Sequence, residues 1–302
     1  MNVGFVGLGN MGSRMARNIV ANGTAVIGFD PVRENVERSG AVAATGLADV
    51  ARRCDVILMS LPSSAVVEDV VFGPDGLEHA LRQGSVVVDL STSAPESTRR
   101  IHARLARQGA RYVDAGVSGG AAAAEKGSLT LMVGGDESAV EVVRPVFALI
   151  AAKVFVMGGP GAGHTAKLLN NFLNGINLSA AAEVLIAGAK AGLDVGRLLE
   201  VINASSGANW ATENRFPSII RGDYLEGGLT SALMMKDLLL YVEHLRELGV
   251  PSLHASGPVA AFGVALHTDR GEQISNRVVD ALGDLAGGVR LHAETNERKP
   301  ES

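Results

Sequence analysis

Seven short runs rich in valine, isoleucine and leucine punctuate the first half of this chain, and the second half has none. They cover residues 3–7, 25–29, 55–61, 85–90, 112–117, 129–133 and 154–157. Between most of them lie amphipathic stretches bearing arginine and glutamate, such as 13–22, 65–72 and 95–108. A strand that is apolar all along its length must be covered on both faces, and intervening helices supply that cover. The pattern predicts an α/β, doubly wound, parallel-sheet domain over residues 1–160.

The remainder reads differently. From 164 to 191 there is neither a strand signal nor a proline, and a helix of that length would span about 40 Å. Lys167, Asn170, Asn171, Asn174, Asn177, Glu183 and Lys190 make it too polar for a bilayer. Up to residue 285 the helical pattern is interrupted at Gly207, Pro217, Gly227-Gly228 and Pro251. An all-α domain over 161–287, linked to the first by the long helix, is expected, followed by a flexible polar tail over 288–302. A length of 302 residues suits two such cores.

Composition removes several function classes. The net charge of -5 offers no basic face for nucleic acid, and no block of like charge marks a membrane patch. Cys54 is the only cysteine and the seven histidines show no paired spacing, so neither a disulfide frame nor a metal site is expected. The opening residues read as a strand and not as a basic leader, which points to the cytoplasm.

The residues Gly7-Leu8-Gly9-Asn10-Met11-Gly12 fit G-x-G-x-x-G at the junction of a strand and a helix. Gly7 permits a tight turn, Gly9 lets backbone approach a pyrophosphate, and Gly12 lets helix and strand pack. The helix N-terminus then offers free N–H donors to the phosphates. Asp30 ends the next strand, 21 positions after Gly9, where a carboxylate would take the ribose hydroxyls of a dinucleotide. The first domain therefore reads as Rossmann-type. Asp30 favours NAD over NADP by repelling a 2'-phosphate, while Arg33 would soften that preference.

Two later strand ends extend this site, since ligands bind beyond the carboxyl ends of parallel strands. Leu61-Pro62 would form an apolar wall beside the adenosine, and Thr92 in Ser91-Thr92-Ser93 would lie near the nicotinamide. Their plain alternatives are a proline turn and a helix cap before Ala94-Pro95.

With these motifs, 114–120, 161–171 and Met235-Lys236-Asp237 in the same order, the chain resembles the β-hydroxyacid dehydrogenase family over roughly residues 1 to 285. That family includes 3-hydroxyisobutyrate dehydrogenase and tartronate semialdehyde reductase. The resemblance implies Lys167 as general acid/base and a clamp for the substrate carboxylate at Ser118-Gly119-Gly120. It also implies a contact from Lys236 to cofactor or substrate. The residues read independently agree in part. Lys167 and Asn171 are an i, i+4 pair on one helix face. Successive glycines expose amides to an anion. Oxidation of an alcohol needs an uncharged amine, which burial or a neighbouring cation such as Lys236 would favour.

The alternatives are a solvated lysine, a simple turn at Ser118–Gly120 and an exposed Lys236-Asp237 ion pair. Two departures from the family stand out. Gly116 replaces a frequent proline, implying a less rigid loop, and Leu229 replaces a frequent phenylalanine. Trp210, the only tryptophan, either lines the pocket or packs between helices.

The expected reaction is hydride transfer between NAD (or NADP) and a small 3-hydroxy acid, to give its semialdehyde. Residues 121–124 offer no second charged anchor, favouring a monocarboxylate such as 3-hydroxyisobutyrate. Tartronate semialdehyde and related sugar-acid or sulfonate semialdehydes are the alternative substrates. An imine reductase and a non-catalytic nucleotide-binding scaffold are the competing classes, and retention of Lys167 argues against both. A homodimer or homotetramer is expected.

Overall fold

The apolar runs pair as strands of one sheet in a computed structural model that describes residues 1–292. The strands are β1 (Val3–Val6), β2 (Val26–Phe29), β3 (Val42–Ala43), β4 (Val56–Met59), β5 (Val86–Asp89), β6 (Arg111–Ser118), β7 (Leu129–Gly134) and β8 (Ala151–Gly158). Their spatial order is β3-β2-β1-β4-β5-β6-β7-β8. The β3-to-β6 portion is the doubly wound order that places ligands beyond the carboxyl ends of the strands.

Successive residues point to opposite faces, and here both faces are covered. Val56, Leu58, Val86 and Val88 join a core with Met15, Ile19, Val143 and Phe147. Ile57, Met59 and Val87 join another with Val50, Ile101 and Leu105. Each such side chain contributes about 1.5–3 kcal/mol when fully buried.

One strand departs from the expected parallel sheet. β7 runs antiparallel to β6, with Ser118 opposite Thr130. The connection, residues 119–128, holds only the short helix Gly120–Glu125, and a parallel crossover needs a dozen residues or more. The chain therefore turns straight back. β8 returns parallel to β7 after the helix Glu137–Ile150. The extra strand β3 has two exposed residues and left no apolar run to read.

The chain divides into two compact units, Met1–Leu168 and the part from Leu169 onward. The helix Ala162–Lys190 begins in the first and continues into the second. The second unit is helical, with Val195–Asn203, Trp210–Asn214, Phe216–Ile219, Ser231–Leu248, Ser256–His267 and Val278–Leu285. Among its described residues the only β-pairing is an isolated bridge, Thr230 to Ile274. Phe172, Leu178, Leu185, Phe216, Met234, Leu238 and Phe262 form its core. Local chemistry sets its boundaries: Thr230 caps Ser231–Leu248 by accepting from Leu233 N, and Gly249 closes that helix at φ 67°.

Residues 289–292, expected to lie in a flexible tail, are packed instead. Leu291 is buried, Arg290 pairs with Asp284, and the His292 ring meets Tyr224 edge-on at 5.7 Å. A single leucine in a polar stretch gave no periodic signal. The rest of that tail, 293–302, lies outside the described residues.

Candidate active site

β1 delivers Gly7 at φ +82°, a conformation that costs glycine little. A Cβ on Gly7 would overlap Ser60 O, and one on Gly12 would overlap Gly7 O. At Gly9 no atom lies within 4 Å of where a Cβ would sit. The turn is thus closed against the protein and open outward, and the helix Asn10–Ala21 starts beside it. Backbone amides at a helix start facing open space fit the pyrophosphate of a dinucleotide.

Asp30 braces this turn. Its Oδ2 accepts from Leu8 N at 2.7 Å, and its Oδ1 accepts from Val32 N at 2.9 Å and Asn35 Nδ2 at 3.0 Å. Oδ1 is thereby fully engaged, while Oδ2 keeps a further lone pair for a ribose hydroxyl. Arg33 is not directed at that acid: its exposed side chain pairs with Glu37 at 3.2 Å.

The loops after β4 and β5 are tied together. Leu61 N donates to Ser91 Oγ at 2.9 Å. The buried Asp89 carboxylate accepts from Ser91 N, Ser93 Oγ and Tyr112 OH at 2.9, 2.9 and 3.0 Å. Burial, with Asp89 beside it, pushes the Tyr112 phenol well above its ordinary range. The cap alternative for Ser91-Thr92-Ser93 does not hold, because Ala94 starts the helix Pro95–Ala106 without a side-chain cap. Thr92 stays partly exposed at the loop tip.

Lys167 stands near the start of the long helix, and a buried acid on β6 fixes that start. Asp114 accepts from Gly161 N through Oδ1 and from His164 N through Oδ2, both at 2.8 Å. These are donors that a helix start leaves without partners. A Cβ on Gly163 would overlap Met132 O, and one on Gly116 would come within 2.5 Å of Lys167 Cβ. Glycine at both positions lets the helix lie directly on the sheet. Gly116 is inside β6, opposite Met132, so the looser loop expected from its replacing proline is not what it provides. It gives the Lys167 stem a place to rest.

β6 ends at Ser118, and the chain then turns through Gly119 (φ 121°) and Gly120 (φ 66°). Both glycines are exposed. The helix Gly120–Glu125 begins at this turn, so exposed backbone amides here are open to an anion.

In the helical unit, Asn171 is buried and its Nδ2 donates to Asp237 Oδ2. Its Oδ1 accepts from Asn170 Nδ2 at 3.2 Å, which leaves one amide N–H for another acceptor. Asp237 is 1% exposed, and Lys236 Nζ lies 3.1 Å from its Oδ1. The reading of this pair as exposed fails on that burial. Phe172 and Tyr241 stack at 3.9 Å beside it. Leu229 packs against the helical core, whereas Trp210 is 57% exposed and is not held between helices.

Asp89, Asp114, Thr98 and His164 have roles that only the structure gives them. His164 is fully buried, with Nδ1 2.7 Å from Thr98 Oγ1 and Nε2 3.8 Å from Asp89 Oδ2. The signal available was an acid inside or ending an apolar strand run, which has to find donors indoors.

Comparison with known proteins agrees with this geometry. Residues 2–159 match the family described as the NAD binding domain of 6-phosphogluconate dehydrogenase. Residues 161–279 match the NAD-binding domain of NADP-dependent 3-hydroxyisobutyrate dehydrogenase. The chain is 39% identical over 254 residues to 2-(hydroxymethyl)glutarate dehydrogenase of Eubacterium barkeri, covering 83% of this chain and 84% of the relative. It is 39% identical over 275 residues to the NAD-dependent L-serine dehydrogenase of Pseudomonas aeruginosa, covering 88% and 90%. Among solved structures, 3-hydroxyisobutyrate dehydrogenase of Mycobacterium tuberculosis with L-serine superposes with a TM-score of 0.84 at 29% identity, covering 93% of this chain and 98% of that one. A glycine cradle built for a dinucleotide, with matches that span both units, places this chain in the β-hydroxyacid dehydrogenase family of NAD(P)-dependent oxidoreductases.

Proposed function

We propose that this enzyme oxidises a small 3-hydroxy acid to its semialdehyde with NAD, or catalyses the reverse reduction, with Lys167 as general acid/base. One observation carries the reading. The strand that supports the Lys167 stem at Gly116 also bears Ser118, two residues on, which at strand rise is about 7 Å further along. That spacing accommodates a hydroxyl and a carboxylate on adjacent carbons, each hydrogen-bonded to its own partner. The substrates named for the relatives above, 2-(hydroxymethyl)glutarate, L-serine and 3-hydroxyisobutyrate, share the core HOCH2–CH–COO⁻.

In this reading the Ser118 hydroxyl and the Gly119 and Gly120 amides hold the carboxylate. For oxidation, uncharged Lys167 takes the hydroxyl proton while the C–H hydride leaves the same carbon. The nicotinamide ring, when bound, accepts that hydride or returns it. In reduction the Lys167 ammonium gives its proton to the carbonyl oxygen. The remaining amide N–H of Asn171 steadies that oxygen, and Asp237 orients Asn171. Lys236, held by Asp237, adds positive charge toward substrate or cofactor.

Residues Gly7, Leu8, Gly9, Asn10, Met11 and Gly12 cradle the pyrophosphate. Asp30 takes the adenosine ribose, Leu61 and Pro62 flank the adenosine, and Thr92 meets the nicotinamide side. NAD is preferred because Asp30 faces a 2'-phosphate with like charge and Arg33 is engaged by Glu37. We place the enzyme in the cytoplasm as a homodimer or homotetramer, which light scattering checks.

The test is NADH formation from 3-hydroxyisobutyrate, 2-(hydroxymethyl)glutarate and L-serine, and NADH consumption with tartronate semialdehyde. Lys167→Ala should lose about 10²–10⁴ in kcat, the range of general acid/base catalysis. Turnover of none of these compounds, or a Lys167→Ala enzyme within tenfold of the wild type, overturns the proposal.

A further inference from the structure

Among the described residues, the helical unit holds a partly buried cation, Arg215, that no carboxylate pairs with. Arg215 separates the short helices Trp210–Asn214 and Phe216–Ile219. Its Nη1 donates to Asn276 Oδ1 at 2.8 Å, and its guanidinium carbon lies 5.2 Å from the centre of the Trp210 ring. Among the described residues no carboxylate pairs with it. The other partly buried arginines of this unit all reach acids: Arg270 pairs with Asp284, Arg277 with Glu226 and Asp280, and Arg290 with Asp284. Burial pulls the Arg215 guanidinium down to about 10 with no acid to hold it up. It is still charged at neutral pH.

The surroundings are built to orient this cation. Asn276 is buried, and its Nδ2 donates to Tyr224 O at 2.8 Å. That bond orients the amide with Oδ1 toward Arg215. One acceptor serves a group with five N–H donors in a planar fork. Beside the fork stands Trp210, 57% exposed, a flat apolar wall left at the surface. A desolvated charge without a counter-ion is a cost to folding that a bound anion relieves. A planar fork selects a planar, two-oxygen anion.

We propose that Arg215, with Asn276 and Trp210, is a carboxylate-binding site of the helical unit, separate from the Ser118–Gly120 clamp. The carboxylate comes from one of two sources: a second acid group on the hydroxy-acid substrate, or a separate small carboxylate. The first source rests on the 3-hydroxy acid reading above, whereas the site itself does not.

Trp210 is the chain's only tryptophan and lies on Arg215, so its fluorescence reports this site directly. Titration with glutarate should change the emission saturably. Arg215→Gln should weaken that response at least tenfold, and Arg215→Lys, which keeps the charge without the fork, should weaken it less. If Arg215→Gln does not fold, judged by its melting curve, Arg215→Lys decides alone: an unchanged glutarate response in that variant overturns the proposal. No saturable response in the wild type, or an equal one in Arg215→Gln, overturns it as well.

Kinetics then separate the sources. A fall of at least tenfold in the ratio of kcat/KM for 2-(hydroxymethyl)glutarate over 3-hydroxyisobutyrate in Arg215→Gln assigns the site to the substrate. An unmoved ratio with a lost fluorescence response assigns it to a separate carboxylate. The titration needs no turnover, so it decides the site even where every hydroxy acid is inert.

Discussion

Replacing Gly116 with alanine adds one methyl group at the point where β6 meets the helix that carries Lys167. The new Cβ would sit 2.5 Å from Lys167 Cβ and 3.1 Å from Gly163 O. Neither neighbour is the free end of a flexible side chain. An ordinary contact is about 3.5–4.0 Å, so the helix start must retreat by about 1 Å. Gly116 does not have a positive φ, so alanine strains no dihedral and gains about 0.4–1 kcal/mol from a less flexible unfolded chain. Overpacking costs about 1–3 kcal/mol. The clash outweighs that gain, leaving a net loss of about 1–2 kcal/mol. At roughly 3 °C per kcal/mol for a unit of this size, Tm should fall by about 3–6 °C. Displacing a reacting group by 1 Å can cost about 10²-fold in rate. Steady-state kcat on the best acid of the panel, beside a melting curve and an NAD titration, tests this. The expected result is kcat down by about 10²-fold with NAD affinity within twofold. A variant with kcat within threefold of wild type and an unchanged Tm would refute the view that this contact positions Lys167.

Other perturbations follow from the same geometry. Asp114→Asn points an amide at one of the two N–H groups now satisfied by a carboxylate, and should cost about 2–4 kcal/mol; urea midpoints check this. Burial pushes the Cys54 thiol from 9.0 up to about 11, so the folded state holds this proton more tightly than the unfolded chain. The stability this gives is whole below pH 9 and is lost as pH rises toward 11, by up to about 3 kcal/mol. Melting curves of wild type and Cys54→Ala should therefore converge over that window. Asp30→Asn should lower kcat/KM for NAD at least tenfold and that for NADP by less, and an unchanged NAD-to-NADP ratio would count against Asp30 as the ribose partner. Asp237→Asn loses the charge that holds Lys236 and orients Asn171, and should lower kcat by about tenfold; equal rates would remove it from the site.

Much of this molecule was written locally. The strand runs, the Gly7–Gly12 turn and the breaks at Pro217 and Pro251 depend on residue type over a few positions, through φ, capping and periodicity. The helical character of the second unit was legible for the same reason. Lys167 and Asn171 share a helix face by spacing alone. What the sequence could not express was which distant residues would meet. The direction of β7 followed from a connection too short for a crossover. Asp114 accepts from Gly161, 47 residues later, just before a helix starts, and Asn171 finds Asp237 66 positions away. Gly116 looked like a lost proline until the Lys167 stem was found against it. Nothing in the sequence marks Arg215, because only packing shows that among the described residues no carboxylate pairs with it. Dihedral preferences and hydrophobic periodicity act over one or two turns. Burial, close approach and the pairing of charges are decided by the whole packed unit.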